Sequence, residues 1–114
     1  MSDAFDPALV FVNRFTRALP ADNIAGNYCR QVRSAAFSRV MPTRVSNPQI
    51  LVINEKLAID LGLAELLTDK TALAQVLAGN RMLSGMDPYA MAYGGHQFGN
   101  WAGQLGDGRA INLG

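Results

Sequence analysis

Tyr93–Gly114 reads YGGHQFGNWAGQLGDGRAINLG, and the fold turns on how this stretch is read. Seven of the chain's eleven glycines fall in it: Gly94, Gly95, Gly99, Gly103, Gly106, Gly108 and Gly114. That density is far above the roughly 7% of an average protein. Glycine is used where the backbone must take positive φ or where another group must approach the main chain closely, and its entropic cost makes such a concentration informative. Asp107-Gly108 stands between an apolar stretch (Trp101, Ala102, Leu105) and a run, Arg109–Leu113, in which polar and apolar residues alternate. This predicts a hairpin turning at Asp107-Gly108. Two readings of the glycines stay open at this level. They shape the hairpin alone, or successive backbone N–H groups around Gly106–Arg109 form an anion-binding concavity with the Arg109 guanidinium beside it. On the second reading the ligand is a phosphate.

The spacing Gly103-x-x-Gly106-x-Gly108 is the reverse of the dinucleotide-binding pattern, and no GK[ST] follows, so Rossmann and Walker-type loops fit poorly. A glycine-rich hairpin of the kinase type fits the strand–turn–strand pattern better.

The longer run Gly79–Gly114, GNRMLSGMDPYAMAYGGHQFGNWAGQLGDGRAINLG, resembles the N-terminal region of the selenoprotein O family, the YdiU-type protein adenylyltransferases with a pseudokinase fold. The likeness extends upstream through Phe15–Pro20, Tyr28–Val45 and Asn47–Leu63, nearly the whole chain. It implies an α+β chain forming the N-terminal part of a protein-kinase-like fold, with short strands and two short helices leading into a Gly-rich β-hairpin. It also implies ATP binding in a flipped orientation, Mg²⁺ as cofactor and transfer of AMP to hydroxyls of protein substrates. Gly106, Gly108 and Arg109 match nucleotide-contacting positions of the family's LGDGR segment. The family's lysine, magnesium ligands and catalytic aspartate are expected downstream, in chains several times longer. The 114 residues are therefore expected to be an N-terminal fragment, inactive alone. The alternatives are a non-enzymatic nucleotide- or protein-binding module and a truncated remnant without function.

Composition bounds the rest. Apolar residues make up 49% and charged residues 17%, values of a globular protein rather than a disordered one. The expected organisation is one incomplete domain: an extended, Arg-rich segment over 1–48, a strand and two helices over 49–79, and a connector with the Gly-rich loop over 80–114. A net charge of +1 supplies no global field towards nucleic acid or an anionic membrane. Arg14, Arg17, Arg30, Arg33, Arg39 and Arg44 cluster in a span with one acid, Asp22, and read as a solvated or partner-facing surface. One cysteine, Cys29, and one histidine, His96, exclude an internal disulfide and a zinc site of the usual Cys/His kind. With no signal-peptide pattern at the start and no apolar run long enough to span a bilayer, the setting expected is cytoplasmic.

Along the chain, Ala8–Leu19 predicts a short helix stopped by Pro20, and Cys29–Val45 predicts extended structure. Gln49–Ile53, QILVI, has the character of a short buried strand. A helix capped by Asn54 should follow, with Leu57, Ala58 and Leu61 on its apolar face and Gly62 at its end. A second should run from Lys70 to Ala78, capped by Thr68 or Asp69, with Leu73, Val76 and Leu77 inward and Gly79 as its stop. Neither lysine of the chain, Lys56 or Lys70, is placed to reach phosphates. Met86, Tyr89, Met91 and Tyr93 read as core filler, His96 as structural, and Trp101 as a packing anchor beneath the glycine loop.

Overall fold

The computed structural model describes residues 5–24, 28, 32–105 and 110–114. Cys29 and Arg30 lie outside them. Among the described residues the elements are α1 (Arg14–Ala18), β1 (Phe37–Arg39), α2 (Glu55–Asp60), a 3-10 helix (Ala64–Thr68), α3 (Lys70–Leu77), β2 (Tyr89–Met91), β3 (Tyr93–Gln97) and β4 (Asn100–Leu105). This is a mixed α/β chain with two small antiparallel sheets, β1–β2 and β3–β4. No helix is long and apolar enough to cross a membrane among the described residues. The fold groups into two compact units, one of residues 1–11 and 43–85, the other of 12–42 and 86–114.

The helical unit follows local backbone chemistry closely. Asn54 Oδ1 accepts from the Leu57 N–H at 2.9 Å and Asp69 Oδ1 from the Ala72 N–H at 3.0 Å, each satisfying a donor that the first helical turn leaves unpaired. Thr68 instead turns its hydroxyl onto the Glu65 carbonyl. Both helices end in the same motif. Gly62 (φ 77°) and Gly79 (φ 82°) take the left-handed conformation, and Leu63 N–H→Ala58 O and Asn80 N–H→Gln75 O close the six-residue bond behind them. Ala72, Leu73, Ala74 and Val76 of α3 are buried together with Phe5 and Leu83. Lys70 pairs with Glu55 at 2.8 Å, an exposed bridge that lowers the Glu55 pKa through its hydrogen bond and charge. Asn80 clamps the Val45 backbone by accepting from its N–H and donating to its carbonyl.

Three expectations for this unit are corrected. Gln49–Ile53 forms no strand: Leu51 is 97% exposed and Val52 88%, because β-branched composition sets an extended preference but only a ladder partner makes a strand. The apolar face of α2 is uncovered, with Leu57 and Leu61 exposed. Leu77, in the last turn of α3, is also exposed rather than inward.

The strand-bearing unit is built on aromatic packing. Phe37 of β1 is fully buried, Tyr89 of β2 nearly so, and Phe15 of α1 lies against both. Phe15 and Tyr89 stack with centroids 5.0 Å apart, and Phe37 meets Tyr89 edge-on at 5.6 Å, both favoured ring geometries. The helix expected over Ala8–Leu19 is confined to the single turn that carries Phe15 and the buried Thr16. The extended reading of Cys29–Val45 holds at β1, which pairs Phe37↔Met91, Ser38↔Ala90 and Arg39↔Tyr89. A parallel bridge from Ala21 to Phe37 and an antiparallel one from Tyr89 to Asn112 widen the sheet on either side. Arg39 donates twice to Asp87, at 3.1 and 3.3 Å, so one of the clustered arginines has an internal partner. Within the connector Tyr89 is core, whereas Met91 and Tyr93 are nearly half exposed.

Two outcomes follow. Leu73→Ala should lower stability by about 2–5 kcal/mol, the range for a buried leucine, while Leu77→Ala should stay within about 0.5 kcal/mol; urea denaturation followed by circular dichroism compares them. The Arg39 hydrogen bond holds the Asp87 carboxyl below its ordinary value of 3.8. Because the folded pKa is the lower one, the contribution of this pair is complete above that value and is lost as pH falls below it. Acid titration of unfolding should show Arg39→Met losing part of this dependence, and an unchanged profile would remove the pair from the acid response.

Candidate functional site

The glycine-dense stretch forms a hairpin upstream of its Asp107-Gly108, and the turn expected at that pair lies outside the described residues. β3 and β4 pair Tyr93↔Leu105, Gly94↔Gln104, Gly95↔Gly103, His96↔Trp101 and Gln97↔Asn100. The turn is therefore Phe98-Gly99, with φ of 52° and 80°. Positive φ at both central residues is the mark of a type I′ turn, whose twist matches that of the flanking strands. A left-handed phenylalanine costs roughly 1–2 kcal/mol, which the ladder offsets. The side chain of Phe98 is fully exposed at the tip.

Arg109–Leu113, expected as the second hairpin strand, does not pair with β4 where it is described. Asn112 exchanges both backbone hydrogen bonds with Tyr89, at 2.8 and 2.9 Å, and the Asp87 N–H donates to the Leu113 carbonyl at 3.0 Å. Residues 110–114 thus join the edge of β2 that β1 leaves open. Gly106, Asp107, Gly108 and Arg109 lie outside the described residues. Their neighbours on either side are placed: Leu105 pairs with Tyr93 and Asn112 with Tyr89, so both ends of the segment meet the single stretch Tyr89–Tyr93.

The ladder slips between Gly95 and His96, leaving Ala102 as the extra residue of a bulge, and Gly103 takes φ 78° there. Bulges re-aim side chains, and here the residue beside it is Trp101. The indole lies edge-to-face with the His96 imidazole, centroids 5.1 Å apart at 66°. It also covers Gly94: a Cβ at that position would sit 2.7 Å from Trp101 Cη2 and 3.1 Å from Cζ2. Position 94 is glycine because the indole occupies the space of a side chain. Trp101 is thus held by its neighbours, as expected of an anchor, yet it is 63% exposed rather than covered. His96 is exposed and serves as its lateral support. Neither the Gly94–Trp101 contact nor the Phe98 tip was legible from spacing, since both depend on register.

Comparison with known proteins now bears on this region. A family model described as protein adenylyltransferase SelO matches residues 26–114. The chain belongs to that family. The protein nucleotidyltransferase YdiU of Rhodopirellula baltica is 58% identical over 106 residues, covering 93% of this chain and 20% of that protein. That of Azoarcus sp. is 56% identical over the same extent, and that of Nitrosospira multiformis is 50% identical over 114 residues, 100% of this chain and 20% of the relative. The chain spans about one fifth of the length of these SelO-family relatives. The matched range contains the whole β3–β4 hairpin and the LGDGR segment that follows it.

Gly94→Ala should push the indole off its seat. With one tryptophan in the chain, a shift in its emission and near-ultraviolet dichroism reports the displacement directly, and superimposable spectra would mean that Trp101 does not rest on Gly94.

Proposed function

We propose that the chain supplies the nucleotide loop of a protein adenylyltransferase that takes ATP with Mg²⁺ and transfers AMP to Ser, Thr or Tyr hydroxyls of proteins. The observation that carries this reading is the family match over residues 26–114, a range that contains the LGDGR segment, in which Gly106, Gly108 and Arg109 are the residues assigned here to nucleotide contact. The relatives' description as protein nucleotidyltransferases supports it. A kinase-like frame belongs to the same reading, and mixed α/β elements with antiparallel strands running into a glycine-dense segment are compatible with it. So does a reducing, cytoplasmic setting, in keeping with a lone cysteine.

In the reaction the substrate hydroxyl oxygen forms a bond to the α-phosphorus, the bond from that phosphorus to the bridging oxygen breaks, pyrophosphate leaves, and the hydroxyl proton passes to a base. Catalysis of this kind is positioning and charge neutralisation. The part of this chain is to hold phosphate: the N–H groups near Gly106 and Gly108 donate, and the planar Arg109 fork binds two oxygens at once. Magnesium supplies further neutralisation when bound. Among the described residues no group of three or more His, Cys, Asp or Glu comes together that could hold a metal ion.

A full-length relative incubated with protein and ATP should transfer label from the α-phosphate. Label transferred from the γ-phosphate instead would replace nucleotidyl by phosphoryl transfer. The 114-residue chain alone should transfer neither. Arg109→Ala should weaken ATP binding by roughly 1.5–3 kcal/mol, the range for hydrogen bonds to charged groups, while leaving folding intact. Calorimetric titration measures it, and an unaltered affinity would take Arg109 out of the site.

A further inference from the structure

We propose that residues 5–11 are a detachable strap, a peptide ligand that the compact unit of residues 1–11 and 43–85 holds in cis and accepts in trans. The segment lies extended. Burial alternates along it, with Phe5, Pro7, Leu9 and Phe11 less exposed than Asp6, Ala8 and Val10 between them, the period of an extended chain laid along a surface. No strand ladder ties it down among the described residues. Its polar fastenings come instead from side chains 57 to 78 positions away. The Arg81 guanidinium donates to the Phe5 carbonyl and lies over the Phe5 ring, 5.5 Å from its centroid, within the range of a cation–π contact. Ser84 donates its hydroxyl to the Asp6 carboxylate at 3.4 Å, and the Ala8 N–H donates to the Glu65 carboxylate at 3.0 Å. Phe11 closes the far end over Gly85, where a Cβ would meet its ring at 3.4 Å.

The seat recognises an aromatic residue followed by a carboxylate. Ring and main-chain oxygen of the first go to Arg81, and the side chain of the second goes to Ser84. Glu65, Arg81, Ser84 and Gly85 all lie within the range that the family model matches, residues 26–114, whereas the strap lies before it. The seat thus falls in the family-wide part of the chain, and the strap is the occupant seen on it. Of the strap's side chains only Phe5 is fully buried, at 6% exposure, while Val10 is 90% exposed. Ordering each residue has an entropic cost that a mostly exposed segment offsets poorly, so such a segment opens locally at much lower free energy than α3, which buries four side chains. Opening bares the seat without unfolding the unit.

The probe is a dye-labelled synthetic peptide of residues 5–11, FDPALVF, added to a chain that begins at Val12. Fluorescence anisotropy should show saturable binding, and Phe5→Ala in the peptide or Arg81→Ala in the chain should weaken it about tenfold or more, as for an anchor residue of an interface. Should the shortened chain lose its helical circular dichroism, the peptide should restore it. A folded shortened chain that does not bind, or an unfolded one that the peptide leaves unfolded, would overturn the proposal. In the complete 114-residue chain, chymotrypsin should cut after Phe5, Leu9 or Phe11 while the amides of α3 stay protected from hydrogen exchange. Arg81→Ala should speed that cutting several-fold without exposing α3. Cutting that rises only together with exchange in α3 would make the segment an inseparable part of the fold and overturn its detachment.

Discussion

Burial of Phe37 is the constraint on which the strand-bearing unit depends. Its ring is fully withdrawn from water between Phe15 and Tyr89, and those three residues come from α1, β1 and β2, segments separated by dozens of positions in the chain. A three-residue strand is too short to be stable from its own ladder. The aromatic contacts supply what the hydrogen bonds lack, and the ladder in turn fixes the ring angles. Tyr89 carries the most consequences, because its backbone holds Arg39 on one side and Asn112 on the other while its ring faces the cluster.

This arrangement reaches the glycine-dense stretch through β2. Residues 110–114 are recruited to β2 and not to β4, and the segment bearing Gly106, Gly108 and Arg109 lies in sequence between them and Leu105 of β4. Its flanks are paired at Tyr93 and Tyr89, four positions apart. The hairpin itself depends on glycine in three distinct ways: Gly99 for the turn, Gly103 for the bulge, and Gly94 for the seat of the indole.

The family resemblance and the local chemistry were both readable along the chain, for different reasons. The run GHQFGNWAGQLGDGRA is specific enough to indicate the SelO family, and the match over residues 26–114 bears it out. The caps were readable because they are local: Asn54 and Asp69 each bond a backbone group three residues away, and Gly62 and Gly79 answer to backbone sterics at their own positions. The inward side of α3 was readable from period alone as far as Leu73 and Val76.

Partner choice was not readable. Asp107-Gly108 is the stronger turn signal in isolation, yet Phe98-Gly99 makes the described turn, because the pairing of Tyr93–Gln97 with Asn100–Leu105 outweighs the cost of a left-handed phenylalanine. QILVI has strand composition and stays unpaired, since composition cannot supply a neighbour. The sequence by itself determined helix ends, glycine-dependent backbone and family membership, all of which rest on interactions a few residues long or on identity of a run. Only the tertiary structure decided that Tyr89 would bind Asn112, that β3 would take β4, and that Trp101 would lie over Gly94, because each is a competition among distant segments for the same backbone groups and the same buried space.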